Sequence, residues 1–211
     1  MTSPLKLVVL ISGNGSNLNA IIKEIEQGRL NAKIAQVISN RPNAYGLTRA
    51  QQADIPNSVI DHEAYDSREA FDQALIQFID RHQPDLIVLA GFMRILSDAF
   101  VEHYMGKLIN IHPSLLPAFA GTIAPEPQAA ALRAGVKQAR CTVHLVTTQL
   151  DARPIVAQAA VPVLPDDTVE SLSARILGEE HRLFPQVLQW FADGRVSVID
   201  GVARVLPAGR D

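Results

Sequence analysis

Residues able to do chemistry fall at three places along this chain. The first is Gly13-Asn14-Gly15-Ser16-Asn17, set between an apolar run and a helical pattern. Glycines let a backbone turn sharply and approach an anion closely. Free N–H groups and the dipole at a helix start then favour a phosphate. Leu18 stands where a dinucleotide fingerprint needs its last glycine, and the Gly-Lys-Ser/Thr ending of a triphosphate loop is missing. A phosphomonoester is the more natural anion, although a plain Gly/Asn turn would use the same residues. The second place is Asn110-Ile111-His112-Pro113. Strand alternation puts Asn110 and His112 on one side. An amide donor beside an imidazole can hold a developing oxyanion and handle a proton. A satisfied polar pair with a proline stop fits the same residues. The third is Asp151, in a connection that contains Pro154. A carboxylate near an imidazole can orient it or keep it charged. A turn aspartate capping its own backbone is the commoner use.

Other residues carry weaker signals. Gly91-Phe92-Met93-Arg94-Ile95-Leu96 could wall the pocket of an aromatic ligand or be ordinary core. Glu179-Glu180-His181 sits late in a helical pattern, where carboxylates oppose the dipole. Such a run is usually a solvated face, but it could also bind ligand hydroxyls. His144 reads as a structural histidine and Cys141 as a small apolar residue. No histidine–carboxylate spacing suits a metal, and no nucleophile elbow is present, so none of the site residues is assigned to a metal.

The elements that must position these residues alternate. Leu5–Ile11 is a nearly continuous apolar run of the kind buried on both faces of a parallel sheet. Leu18, Ile21, Ile22 and Ile25 then form a helical stripe, ended by Gly28. Strands follow at 34–39 and, weakly, 58–60, with a short helix at 46–53 between them. Asp66 as N-cap with Glu69 opens a helix carrying Phe71, Leu75, Phe78 and Ile79. Strands at 86–90 and 108–111 flank a short helix capped by Ser97. This repeated β-α-β pattern predicts a Rossmann-like, mostly parallel, doubly wound α/β sheet. Gly15, Gly91 and His112 would all lie at carboxyl ends of strands, where such sheets bind ligands. Thereafter 117–128 reads as a loop, and 141–146 and 155–163 as strands. Asp167 with Glu170 opens a long helix running past Pro185 to Trp190. The ends 196–199 and 202–206 read as a terminal strand pair, and the C-terminal portion of the sheet is expected to be antiparallel.

Composition narrows the function classes. The 211 residues suit a single domain, 1–211, with a nucleotide-binding half at about 1–113 and a catalytic half at about 114–211. A net charge of −3 gives no electrostatic case for nucleic acid. A lone cysteine excludes an intrachain disulfide and fits a reducing compartment. No apolar run approaches the ~20 residues a membrane span needs, so a cytoplasmic setting is expected.

The runs VVLISGNGSNLNAI (8–21), LAGFMRILS (89–97), INIHPSLLP (109–117), CTVHLVT (141–147) and EEH (179–181) together resemble the folate-dependent phosphoribosylglycinamide formyltransferases. The resemblance extends from about Leu5 to Trp190. It implies the formyltransferase fold and formyl transfer from 10-formyltetrahydrofolate, a co-substrate, to the amine of glycinamide ribonucleotide in purine biosynthesis. It implies that Gly15, Ser16 and Asn17 hold the phosphate and Glu180 the ribose. Met93, Arg94, Ile95, Leu96 and Val101 would line the folate pocket, with Val146, Thr147, Thr148, Gln149, Leu150 and Asp151 along the pterin. Asn110, His112 and Asp151 would be the catalytic group acting on a tetrahedral intermediate. A monomer or homodimer is expected, with no nucleic-acid or membrane partner. Three departures mark this chain. Ala152-Arg153 stands where the family has any residue and then glycine. A longer, proline-containing segment occupies 122–128, and Arg140 replaces a glycine. They leave open a formyltetrahydrofolate hydrolase, a binding-only homologue or one with another amine acceptor.

Overall fold

Apolar runs too continuous for a one-sided sheet need cover on both faces, and the chain provides it by winding in two directions. The computed structural model describes residues 3–113, 126–149 and 154–208. In chain order these contain β1 (Leu5–Ile11), α1 (Ser16–Glu26), β2 (Ala32–Ser39), α2 (Tyr45–Gln52), β3 (Asn57–Val59) and α3 (Arg68–Asp80). Then come β4 (Leu86–Leu89), α4 (Asp98–His103), β5 (Leu108–His112), α5 (Glu126–Ala134), β6 (Gln138–Leu145) and β7 (Ile155–Pro162). The long α6 (Val169–Ala192) precedes a hairpin of β8 (Val196–Ile199) and β9 (Val202–Val205).

Among the described residues, seven strands form one sheet in the order β3-β2-β1-β4-β5-β6-β7. The pairs from β3 through β5 are parallel. The β5–β6 and β6–β7 pairs are antiparallel. This is the expected mostly parallel sheet with an antiparallel C-terminal portion. The chain winds outward from β1 to β3, then returns to the other side of β1 with β4. The switch point therefore lies between β1 and β4.

Alternation along β1 divides the core. Leu7, Val9 and Ile11 face one apolar cluster, together with Leu18 and Ile21 of α1 and Leu172, Ile176 and Leu188 of α6. Val8 and Leu10 face the other, with Phe71, Leu75 and Ile79 of α3 and Phe100 of α4. Cys141, on β6, is fully buried, and burial pushes its thiol up to about 12.

Several boundaries differ from expectation. The N-cap of α3 is Ser67, whose hydroxyl accepts from Ala70 N, and not Asp66. The N-cap of α6 is Thr168 rather than Asp167, with Ser171 closing a reciprocal box. Asp167 instead accepts from Ser171 Oγ and pairs with Arg175 at 2.7 Å. Residues 126–128, read as loop, belong to α5. A proline at 127 is tolerated there because a first-turn N–H has no intrahelical partner. Arg140, which stands where the resemblance expects a glycine, lies inside β6 opposite Ala160.

The Thr168 box satisfies two backbone N–H donors at the entry to α6, those of Thr168 and Ser171. Thr168→Ala should destabilise the protein by about 1 kcal/mol, lowering Tm by about 2–4 °C in a domain of this size. Calorimetry of the variant checks this, and an unchanged Tm would show the cap to be dispensable.

Candidate functional site

The loop after β1 is held by what packs behind it. Gly15 is the N-cap of α1 and takes a left-handed conformation with φ 72°. Glycine brings no side chain to cap the helix, and none of the described residues is seen to cap it. The first N–H groups of α1 are therefore left for another acceptor. A Cβ on Gly15 would lie 2.6 Å from the Gly46 Cα. A Cβ on Gly46 would meet Ile11 Cδ1 and come within 3.2 Å of the Gly15 Cα. Gly46 N donates to Gly13 O at 3.0 Å. Arg49, one turn into α2, donates from Nε to Asn14 O and from Nη2 to Asn14 Oδ1, both at 2.9 Å. The start of α2 thus buttresses the loop, a role that sequence spacing did not reveal.

This loop opens on a cleft of about 550 Å³. Gly13 to Asn17 line one side, and Asn110 and His112 of β5 another. Met93, Gln128 of α5, and Ser173 and Glu180 of α6 also line it. Seven expected site residues therefore meet here: Gly15, Ser16, Asn17, Met93, Asn110, His112 and Glu180.

The polar chemistry of the cleft is only partly satisfied. Asn17 Nδ2 donates to Glu180 Oε2 at 2.9 Å, joining residues 163 positions apart. The Asn17 side chain is thus spent on orienting a carboxylate. Asn17 Oδ1, Gln128 Oε1 and Ser173 Oγ are buried without hydrogen-bond partners. Buried polar atoms in native proteins are almost always paired, so three such atoms around one cleft mark a place built for polar ligand groups. Gln128 and Ser173 were not identified from sequence, because neither stands in a recognisable pattern.

At β5, register places Asn110 opposite His144 of β6 and His112 opposite Thr142. Asn110 Nδ2 lies 3.2 Å from His144 Nε2, and His144 Nδ1 lies 3.2 Å from Leu145 O. A neutral imidazole protonated on Nδ1 satisfies both contacts, with the amide donating to Nε2. His144 is accordingly structural, as expected, but its task is to orient Asn110. His112 is buried, 6% exposed.

The remaining site expectations distribute elsewhere. Leu96, Val101 and Val146 gather in the second apolar cluster beside Leu108. Ile95 is largely exposed, and the Arg94 guanidinium sits over the Phe71 ring at 5.9 Å. Val146, Thr147, Thr148 and Gln149 border a second cleft of about 590 Å³ with Met105 and the β8–β9 turn. Leu150, Asp151 and Arg153 lie outside the described residues, as does 122–125. Among the described residues no helix is long and apolar enough to cross a membrane.

A glycine-bearing loop at a helix start and an amide–imidazole pair share one cleft at the carboxyl edge of a doubly wound sheet, the arrangement of an α/β enzyme acting on small molecules. Residues 5–188 match the formyl transferase family. The chain is 47% identical over 199 residues to phosphoribosylglycinamide formyltransferase of Escherichia coli K12, spanning 94% of this chain and 92% of that one. The phosphoribosylglycinamide formyltransferase of Coxiella burnetii, solved in complex with CHES, superposes with a TM-score of 0.90 at 50% identity, over 96% of this chain and 93% of that one. Glycinamide ribonucleotide transformylase 1 of Symbiobacterium toebii gives 0.92 at 46% identity, over 98% and 96%. The chain belongs to the formyl transferase family.

Two variants test the geometry. Gly46→Ala must push the 13–15 loop or Ile11 aside and should weaken binding of ribose 5-phosphate by about tenfold or more, the effect of a lost charge-assisted contact. Calorimetric titration with that ligand is the check, and wild-type affinity would show the buttress to be unnecessary. Burial pushes the Glu180 carboxyl above the ordinary carboxylate range, and the Asn17 amide pulls it partly back. The unfolded chain titrates at the ordinary value, so wild-type stability is greatest below that value and falls as pH rises toward the folded one. Glu180→Gln escapes this loss. It should melt higher than wild type near pH 7, with the gain shrinking toward about pH 4. A gain independent of pH would rule out a buried carboxylate that ionises.

Proposed function

We propose that the protein transfers the formyl group of 10-formyltetrahydrofolate to the amine of glycinamide ribonucleotide, a step of de novo purine biosynthesis. The observation that carries this reading is the single cleft in which the Gly15 loop, Glu180 and the Asn110–His112 pair meet. The open N-terminus of α1 takes the phosphate through backbone N–H groups of Gly15, Ser16 and Asn17. Glu180, held by Asn17, accepts from ribose hydroxyls. This spacing carries the amine toward the end of β5. There Met93 and the following residues, with the apolar cluster of Leu96, Val101 and Val146, hold the folate.

Amine attack on the formyl carbon forms a C–N bond and leaves an oxyanion. Asn110, aimed by His144, and His112 donate to that oxygen. Collapse expels the folate nitrogen, which regains a proton as the amine loses one. The resemblance adds Asp151, outside the described residues, as the group that keeps His112 charged and organises a water. Binding both substrates side by side supplies much of the rate.

Purified protein mixed with both substrates, followed by folate absorbance, tests the reading. Turnover should require the amine, and His112→Ala should lower kcat by at least about 100-fold, the loss typical of one oxyanion donor. Folate release at the same rate without the amine would replace the transferase with a hydrolase. Absence of any folate reaction would overturn the reading.

A further inference from the structure

We infer that Asp72 is a positioning residue for the formyl donor: it fixes the far end of the segment 91–97, and through it sets the affinity for the folate. The inference rests on the reading above, in which this segment walls the donor. Residues 91–97 form neither helix nor strand, so no ladder of hydrogen bonds holds their backbone. Two side chains from other elements do so instead. Met93 N donates to Ser12 Oγ at 2.8 Å, and Ser12 Oγ donates in turn to Asn40 Oδ1 at 2.6 Å. Ser97 N donates to Asp72 Oδ2 at 2.5 Å. The wall is thus pinned near its start by the end of β1 and at its close by α3.

A carboxylate at position 72 stands where the pattern of α3 calls for an apolar side chain. It is 2% exposed on the face of α3 that carries Phe71, Leu75, Ile76 and Ile79 into the core. Burying a carboxylate there costs stability. Its second oxygen, Oδ1, has no hydrogen-bond partner. Burial pushes the carboxyl up, while the Ser97 backbone and the charges of Arg68 and Arg94 pull it down. A carboxylate accepts a backbone N–H more strongly than a neutral oxygen does. Ser97 is also the N-cap of α4, with its Oγ accepting from Phe100 N at 3.3 Å. Holding Ser97 therefore places two things together: the end of the wall, and the helix that brings Val101 into the apolar cluster. Arg94, in the middle of the wall, rests over Phe71, the neighbour of Asp72 on α3.

The test is steady-state kinetics of Asp72→Ala and Asp72→Asn with each substrate varied in turn, alongside hydrogen exchange at the Ser97 amide. Asp72→Ala should raise KM for the formyl-folate by about tenfold, as for a lost hydrogen bond to a charged group. KM for the ribonucleotide should stay within about twofold, and Ser97 exchange should accelerate. Asp72→Asn keeps an acceptor oxygen, so its donor KM should fall between wild type and alanine. It also serves alone if the alanine variant does not fold. An unchanged donor KM, or an equal rise in both KM values, in a wild type that turns over would overturn the assignment and leave the functional reading standing. A wild type that turns over no formyl-folate would overturn both.

Discussion

At the end of β1 two backbones meet with no room for a side chain between them. A Cβ on Gly15 would lie 2.6 Å from the Gly46 Cα, and a Cβ on Gly46 would meet the Ile11 side chain and crowd the Gly15 Cα at 3.2 Å. Much of the site follows from that contact. It lets α1 begin directly at the sheet edge with a glycine N-cap that offers its first N–H groups no side chain. It lets α2 begin beside it, so that Arg49 can clamp Asn14. A side chain at Gly15 would push the start of α2 away from the loop.

The cleft also illustrates how a binding site is kept ready at a cost to the fold. Glu180 is buried where its ionised form is disfavoured. Its nearest support is the amide of Asn17, from the other end of the chain. Unpartnered atoms on Asn17, Gln128 and Ser173 surround it. In a core chosen for stability alone these positions would be apolar. Their persistence around one cavity is what substrate recognition demands, since a ligand then satisfies groups that are already in place.

Much of this architecture was legible in the amino-acid sequence. Apolar runs such as 5–11 and 86–90 announce strands covered on both faces, and the Gly15 loop and the Asn110–His112 pair stand in patterns with a chemical meaning. The errors have local causes. At 66–67 and 167–168 two capping residues are adjacent, and spacing to the next acidic residue favoured the wrong one of each pair. At 126–128 prolines suggested a loop, but a helix accepts proline in its first turn. The residues missed at the site share another property. Gly46, Gln128 and Ser173 matter only through segments far away in sequence that fold against them, and Asp72 lies in a helical stripe whose pattern reads as core. Only the register of β5 on β6 makes His144 the support of Asn110.

The single thiol gives the molecule a property unrelated to its chemistry. Cys141 has no exposed surface, and its ionisation is pushed far above neutral pH. A thiol reagent meets neither an accessible sulfur nor a thiolate while the sheet is intact. The rate at which such a reagent labels the protein therefore counts core openings. The chain carries one native reporter of its own unfolding, placed on the central antiparallel strand and free of interference from any second cysteine.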